Sequence, residues 1–359
     1  KSRERSLLPF DADSVTNYGG SNMMFLKGIG ALLLTLAGFS LFSLKMPKGD
    51  QAMSGLANAA VTSFLVEAIF KYICGDFAGI AFLGQVGAMS GSMGGVASAA
   101  LVGIAMGTNP VYALATAAAV SGLGILPGFI ASYVLCFALK WLDKVLPTGL
   151  DIIVCSLFAA AAGRGIAVLV DPAINAVICT VGDAITAATT QSPLIMGFLL
   201  GGIMKVICTS PLSAMALTAM LGLTGLPMGI ASVACFGGAF SDGMVFHRLK
   251  LGDKSRVLGV MLEPLTQADI VTQNPVPIFG CNFFGGGLSG IAAVMLGIVN
   301  NAPGTSAPIP GFLAPFAFNP PLRVLLAMGI AAVCGAISGF VGSLIFRKLG
   351  FQKLTVTDK

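Results

Sequence analysis

The sequence predicts an all-α polytopic membrane protein of about 8–10 transmembrane helices, with one or two re-entrant hairpins and an inverted internal repeat. Three observations carry this. Hydrophobic residues make up 56% of the 359-residue chain and charged ones 10%, with a mean hydropathy of +0.91. Apolar runs of the ~20 residues needed to cross a hydrocarbon core recur along the chain. Finally, Leu258–Asn282 crowds Glu263, Gln267, Asp269, Thr272, Gln273 and Asn274 between apolar segments, where carboxylates are costly unless paired.

Residues 1–21 form a polar N-terminal segment, 22–346 a single integral membrane domain and 347–359 a basic tail. The apolar runs are Met23–Leu44, Phe77–Met106, Val111–Leu139, Ile152–Val170, Pro193–Cys208, Leu212–Phe240, Asn282–Val299 and Leu322–Phe346. The 47 glycines and runs such as Gly87–Ala100 permit the close helix approach on which membrane packing depends. The eight cysteines stand singly in apolar surroundings, as small buried hydrophobes rather than disulfides or metal ligands. No metal and no cofactor is expected.

Basic residues mark the cytoplasmic side. They cluster at His247, Arg248, Lys250, Lys254 and Arg256, at Arg347, Lys348 and Lys353, and at Lys140 and Lys144, while Asn300–Pro321 is uncharged and faces out. A segment leaving the basic loop at Val257 must then return to the same side before the span at Asn282. Val257–Pro277, with Pro264, Pro275 and Pro277, is therefore expected to dip in and return, which places polar groups where only an enclosed cavity tolerates them. The alternative is an amphipathic helix on the membrane surface. Thr108–Pro127 also resembles Thr209–Pro227: a T-x-P start, an Ala-rich run, then Gly-Leu and a late Pro.

Other charged positions read differently. Glu67 and Lys71 stand at i, i+4 in the order favourable for an ion pair, a structural pair on an interfacial helix. Arg164, deep in FAAAAGRGIAVLV, needs a buried carboxylate, a carbonyl cluster or a substrate anion. Glu263, Asp269 and Asp183 are the leading carboxylates. Asp171–Gln191 is too polar for a lipid-facing span and is expected to be a second re-entrant or interfacial element, with Asn175 and Asp183 its candidate site residues. Lys205 is expected to snorkel to a membrane edge, Ser241 and Asp242 to cap the next helix, and Thr209 and Ser210 to cap or line. His247, the sole histidine, reads as a solvated loop residue. No hydrolase elbow, P-loop or dinucleotide fingerprint occurs.

Lys45–Ile73 (KMPKGDQAMSGLANAAVTSFLVEAIFKYI), Gly149–Ala167 (GLDIIVCSLFAAAAGRGIA), the TSPLS run at Thr209–Ser213, FSDGMVFHRLK and LEPLTQADIVTQNP together resemble a bacterial membrane family. It is the membrane component, subunit IIC, of the phosphoenolpyruvate-dependent sugar phosphotransferase system, in the perfringolysin O regulator-like branch. The resemblance covers most of 45–346. It implies a homodimeric sugar permease of the bacterial cytoplasmic membrane working by alternating access, with separate IIA and IIB phosphocarriers and no nucleic-acid partner. Subunits of this type use a carboxylate and a histidine at the sugar. This chain departs from them in having no G-I-T-E signature.

A sugar site wants neutral donors and acceptors with one or two carboxylates in a pocket that excludes water. Glu263, Gln267, Asp269, Thr272, Gln273 and Asn274 supply that set. Two other functions stay open: a phosphorylation-independent transporter of a small metabolite or ion that reuses this membrane scaffold, and a membrane sensor regulating gene expression, which the regulator label of the resembled branch suggests.

Overall fold

The computed structural model describes residues 18–147, 149–210 and 213–349. The first seventeen residues of the polar segment, Pro211, and the tail from 350, Lys353 included, lie outside them. The described residues are helical, with no strand. They contain seven helices long and apolar enough to cross a membrane, or eight if one bent pair counts as a single span.

Helix α1 (Tyr18–Lys45) is followed by α2 (Gly49–Ala60), which runs on through π-helical turns at Val61–Leu65 and Ala68–Phe77. Gly49–Asp76 together has the length and hydropathy of a span, and the segment read as interfacial forms its second half. The Glu67–Lys71 pair does form, at 2.9 Å. The long run Phe77–Met106 divides into α3 (Ala81–Ser92) and α4 (Gly94–Ala105), bent by 57°. Val111–Leu139 divides into α5 (Pro110–Ala119) and α6 (Ile125–Val145). Asn109 caps α5, its side chain accepting from the N–H of Val111, with Pro110 in the first turn.

Helix α7 (Leu150–Gln191) is the largest departure from expectation. Its 42 residues, Pro172 among them, run unbroken for about 63 Å at ~1.5 Å per residue. Asp171–Gln191 is thus the second half of one helix. Its hydroxyls satisfy themselves on that helix, Thr180, Thr186 and Thr189 each bonding the carbonyl four residues back, so its polarity demands no separate turn.

Four helices form one half of the bundle: α8 (Pro193–Thr209), α10 (Gly225–Leu249), α13 (Pro275–Met295) and α15 (Pro321–Lys348), with the short buried α9 (Ala214–Met220) leading into α10. Glycine decides how closely they pack. A Cβ on Gly201 of α8 would lie 2.5 Å from the Gly286 carbonyl oxygen of α13, and one on Gly339 of α15 2.6 Å from that of Ser241 of α10. Only hydrogen at these positions lets the backbones meet. The other half packs α1, α5 and α6 on α7, and α2 on α4.

The basic clusters share one end of the bundle. Lys48 and Lys140 both donate to the Met106 carbonyl, and Arg248 lies 4.2 Å from the Phe340 ring near the C-terminal end of α15. The uncharged segment after α13 sits at the other end, where Asn300 N–H bonds Gly225 at the start of α10 and Phe318 packs on Tyr72.

Candidate substrate site

Two segments leave opposite ends of the bundle and meet beside the middle of α10. From the basic end, α11 (Lys254–Leu262) starts at an Asp253 cap on Arg256 N–H and runs back along α10, bringing Met261 against Gly243. A 3-10 turn at Pro264–Gln267 and α12 (Ala268–Gln273) then return the chain to Asn274 and the start of α13. There Ile278 packs with Val245, Phe246 and Leu249. From the other end, Asn319 closes a loop at its base: its amide donates to the Val299 carbonyl at 2.6 Å and accepts from the Val299 N–H at 3.0 Å. The tip of that loop is α14 (Pro308–Leu313), where Gly311 lies against Ser232 of α10.

Between the tips lies a half-open cavity of about 220 Å³, with Leu262 and Ile309 exposed at its rim. Phe236 and Phe240 of α10, Met261 and Leu262 of α11, and Ile309 and Phe312 of α14 form most of its wall, which is almost entirely carbon. The rings interlock, Phe236 with Phe312 at 5.0 Å between centroids and with Phe240 at 5.4 Å. Glu263 follows directly, half-buried at the tip.

On another side of α10 is a polar centre with no exposure at all. Lys205 of α8 reaches Asp242 of α10 at 2.6 Å, both side chains 0% exposed. The other Asp242 oxygen accepts from the Asn282 amide of α13 at 2.7 Å, and that amide also donates to Thr209 Oγ1 at 2.8 Å. Asn282 Oδ1 and Ser241 Oγ, buried in the same place, have no hydrogen-bond partner. The Lys205 stem is threaded between two glycines: a Cβ on Gly238 would collide with it, and one on Gly286 would lie 2.5 Å from its Cβ.

Lys205 therefore does not snorkel, and Asp242, inside α10 rather than at its end, caps nothing. Their ionic contact removes the drive toward an interface. A lone charge within each of two apolar runs was the signal available in the sequence, but nothing in one dimension pairs them.

The residues from 263 to 274 do come together, though many serve one another. Arg256 holds Asp269 at 2.8 Å and Gln267 at 3.1 Å. Thr272 bonds the Ala268 carbonyl and Asn274 that of Ile270, within their own helix. Gln273 is exposed. Arg164, Asn175 and Asp183 stand on α7, away from this set, and all three are exposed. The expected carboxylate partner of Arg164 is replaced by the carbonyls of Ser121, at 2.8 Å, and Ala119, at 3.2 Å. These groups end α5, where helix carbonyls lack intrahelical partners and a cation is favoured.

A multi-pass helical bundle with a cavity between two infolded segments has the form of a membrane transport protein. Residues 50–357 match the family described as "Phosphotransferase system, EIIC", and the chain belongs to that family. The "PTS system sucrose-specific EIIBC component" of Bacillus subtilis (strain 168) is 28% identical over 240 residues, 60% of this chain and 50% of that protein. The chain thus matches about half the length of this curated relative.

Proposed function

We propose that the protein is the membrane-embedded sugar permease component of a phosphoenolpyruvate-dependent phosphotransferase system, in the perfringolysin O regulator-like branch. The observation that carries this reading is Glu263. It is a half-buried carboxylate at the tip of an infolded segment, chain neighbour to a cavity beside the middle of a spanning helix, in a chain of the EIIC family.

In this reading Val257–Pro277 is a re-entrant hairpin, and Asn300–Asn319 a second one entering from the opposite face. Glu263 accepts from paired sugar hydroxyls. Gln267, Asp269, Thr272, Gln273 and Asn274 supply or position further polar groups around it. Arg164 steadies α5, and Asn175 and Asp183 lie on the outer half of α7. Access alternates as the two tips move against α10. The protein works as a homodimer in the bacterial cytoplasmic membrane, and separate IIA and IIB proteins deliver the phosphoryl group to the sugar. The likeness to a sucrose-specific component supports a sugar as substrate.

The test is reconstitution in proteoliposomes with the phosphocarriers and phosphoenolpyruvate. Accumulation of sugar phosphate, lost in Glu263→Gln while the protein still folds, is the expected result. A second reading, a transporter independent of phosphorylation, is favoured by the wholly buried Lys205–Asp242 pair, since intramembrane charge commonly marks an ion or proton path. Uptake that persists without phosphoenolpyruvate and responds to an ion gradient would establish that reading in place of the first.

A further inference from the structure

Resting on the proposal that Glu263 holds a sugar, we propose that the substrate is a glycoside with an apolar, ring-bearing aglycone, seated in the carbon-lined cavity between the two tips. A cavity of about 220 Å³ would hold a hexose by volume. Its wall rejects one by chemistry, because the hydroxyls of a free sugar would leave water and find no partner on phenylalanine, leucine, isoleucine and methionine side chains. An aryl group has the opposite requirement. A cavity of ~150 Å³ lined by such residues stays dry and takes up benzene, and Phe236 and Phe312, tilted at 31°, offer a ring the offset and edge contacts aromatic pairs prefer.

The sugar and the aglycone then have separate berths joined by the chain itself. Leu262 lines the cavity and Glu263 is its neighbour, with ~3.8 Å between successive Cα atoms. Glu263 is not itself in the wall, so a glycoside whose ring lies among the phenylalanines would turn its hydroxyls past Leu262 toward that carboxylate. Because the wall draws on both tips as well as α10, the aglycone bridges the parts whose separation opens the path, and so reports their closure.

Binding to the full chain in lipid nanodiscs decides the matter, since glycoside detergents would compete for the cavity. Glucose, galactose, mannose and sucrose are compared with the phenyl β-glycosides of the three hexoses. At least one phenyl glycoside is expected to bind about 10- to 100-fold more tightly than its free sugar, the gain from burying one aromatic ring. Phe312→Ala should lose most of that advantage, bringing the affinity ratio of phenyl glycoside to free sugar close to one. Ala239→Phe fills the cavity and should remove the advantage entirely, with a thermal unfolding transition like that of the wild type showing that the variant is folded. Glu263→Gln should weaken both members of the pair. Equal affinity for a sugar and its phenyl glycoside overturns the aglycone berth and leaves the sugar site standing. Phenyl glycoside binding that ignores Glu263→Gln and is displaced by a fatty acid makes the cavity an acyl-chain site and also overturns the inference. If no sugar or glycoside binds, the sugar-permease reading fails first and the inference falls with it.

Discussion

Replacing Lys205 with methionine keeps the stem between Gly238 and Gly286 but removes the ammonium from Asp242. At 2.6 Å and an effective dielectric of about 20, the Coulomb attraction is roughly 6 kcal/mol. Each ion gives up several kcal/mol of hydration on burial, so the intact pair contributes little net stability. Breaking it is another matter, because Asp242 is left wholly buried with only the Asn282 amide, and a stranded charge costs about 3–5 kcal/mol. Lys205→Met should therefore destabilise by that amount. Adding Asp242→Asn should recover most of it, giving a coupling energy of about 2–3 kcal/mol. Equilibrium unfolding of the wild type, both single variants and the double variant in a mixed-micelle denaturant titration measures the cycle. A stable Lys205→Met protein, or simple additivity of the two substitutions, would refute the buried-pair argument.

The same centre predicts that Gly238→Ala and Gly286→Ala, both of which crowd the Lys205 stem, destabilise by about 1–3 kcal/mol each through overpacking, measurable in the same titration. Arg164→Gln should cost only about 1 kcal/mol, the worth of a cation on exposed helix-terminal carbonyls, and leave ligand affinity unchanged. Should it abolish binding instead, Arg164 faces the substrate and its role in steadying α5 is secondary. For orientation, a cysteine at position 254 on a Cys-free background should react with a membrane-impermeant reagent only after permeabilisation, and one at position 301, exposed at the other end of the bundle, in intact cells. The reverse pattern inverts the topology.

The sequence alone determined that the chain lives in a membrane, because apolar length and scarcity of charge are sums over residues and need no coordinates. It also located the polar segment from 258 to 282. The Glu67–Lys71 pair was legible because its partners lie one helical turn apart. What the tertiary structure decided were the encounters between distant residues. Lys205 and Asp242 each look like a misplaced surface charge until α8 and α10 pack, and Arg164 finds carbonyls on α5 that no local pattern advertises. Phe236, Phe240 and Phe312 are ordinary apolar residues in sequence and become a cavity wall only because the segment after α13, read as an outside loop, folds its tip against α10. Apolar character says that a side chain will be buried. Which neighbours bury it depends on how glycine lets the helices approach, and that is settled only when all of them are in place.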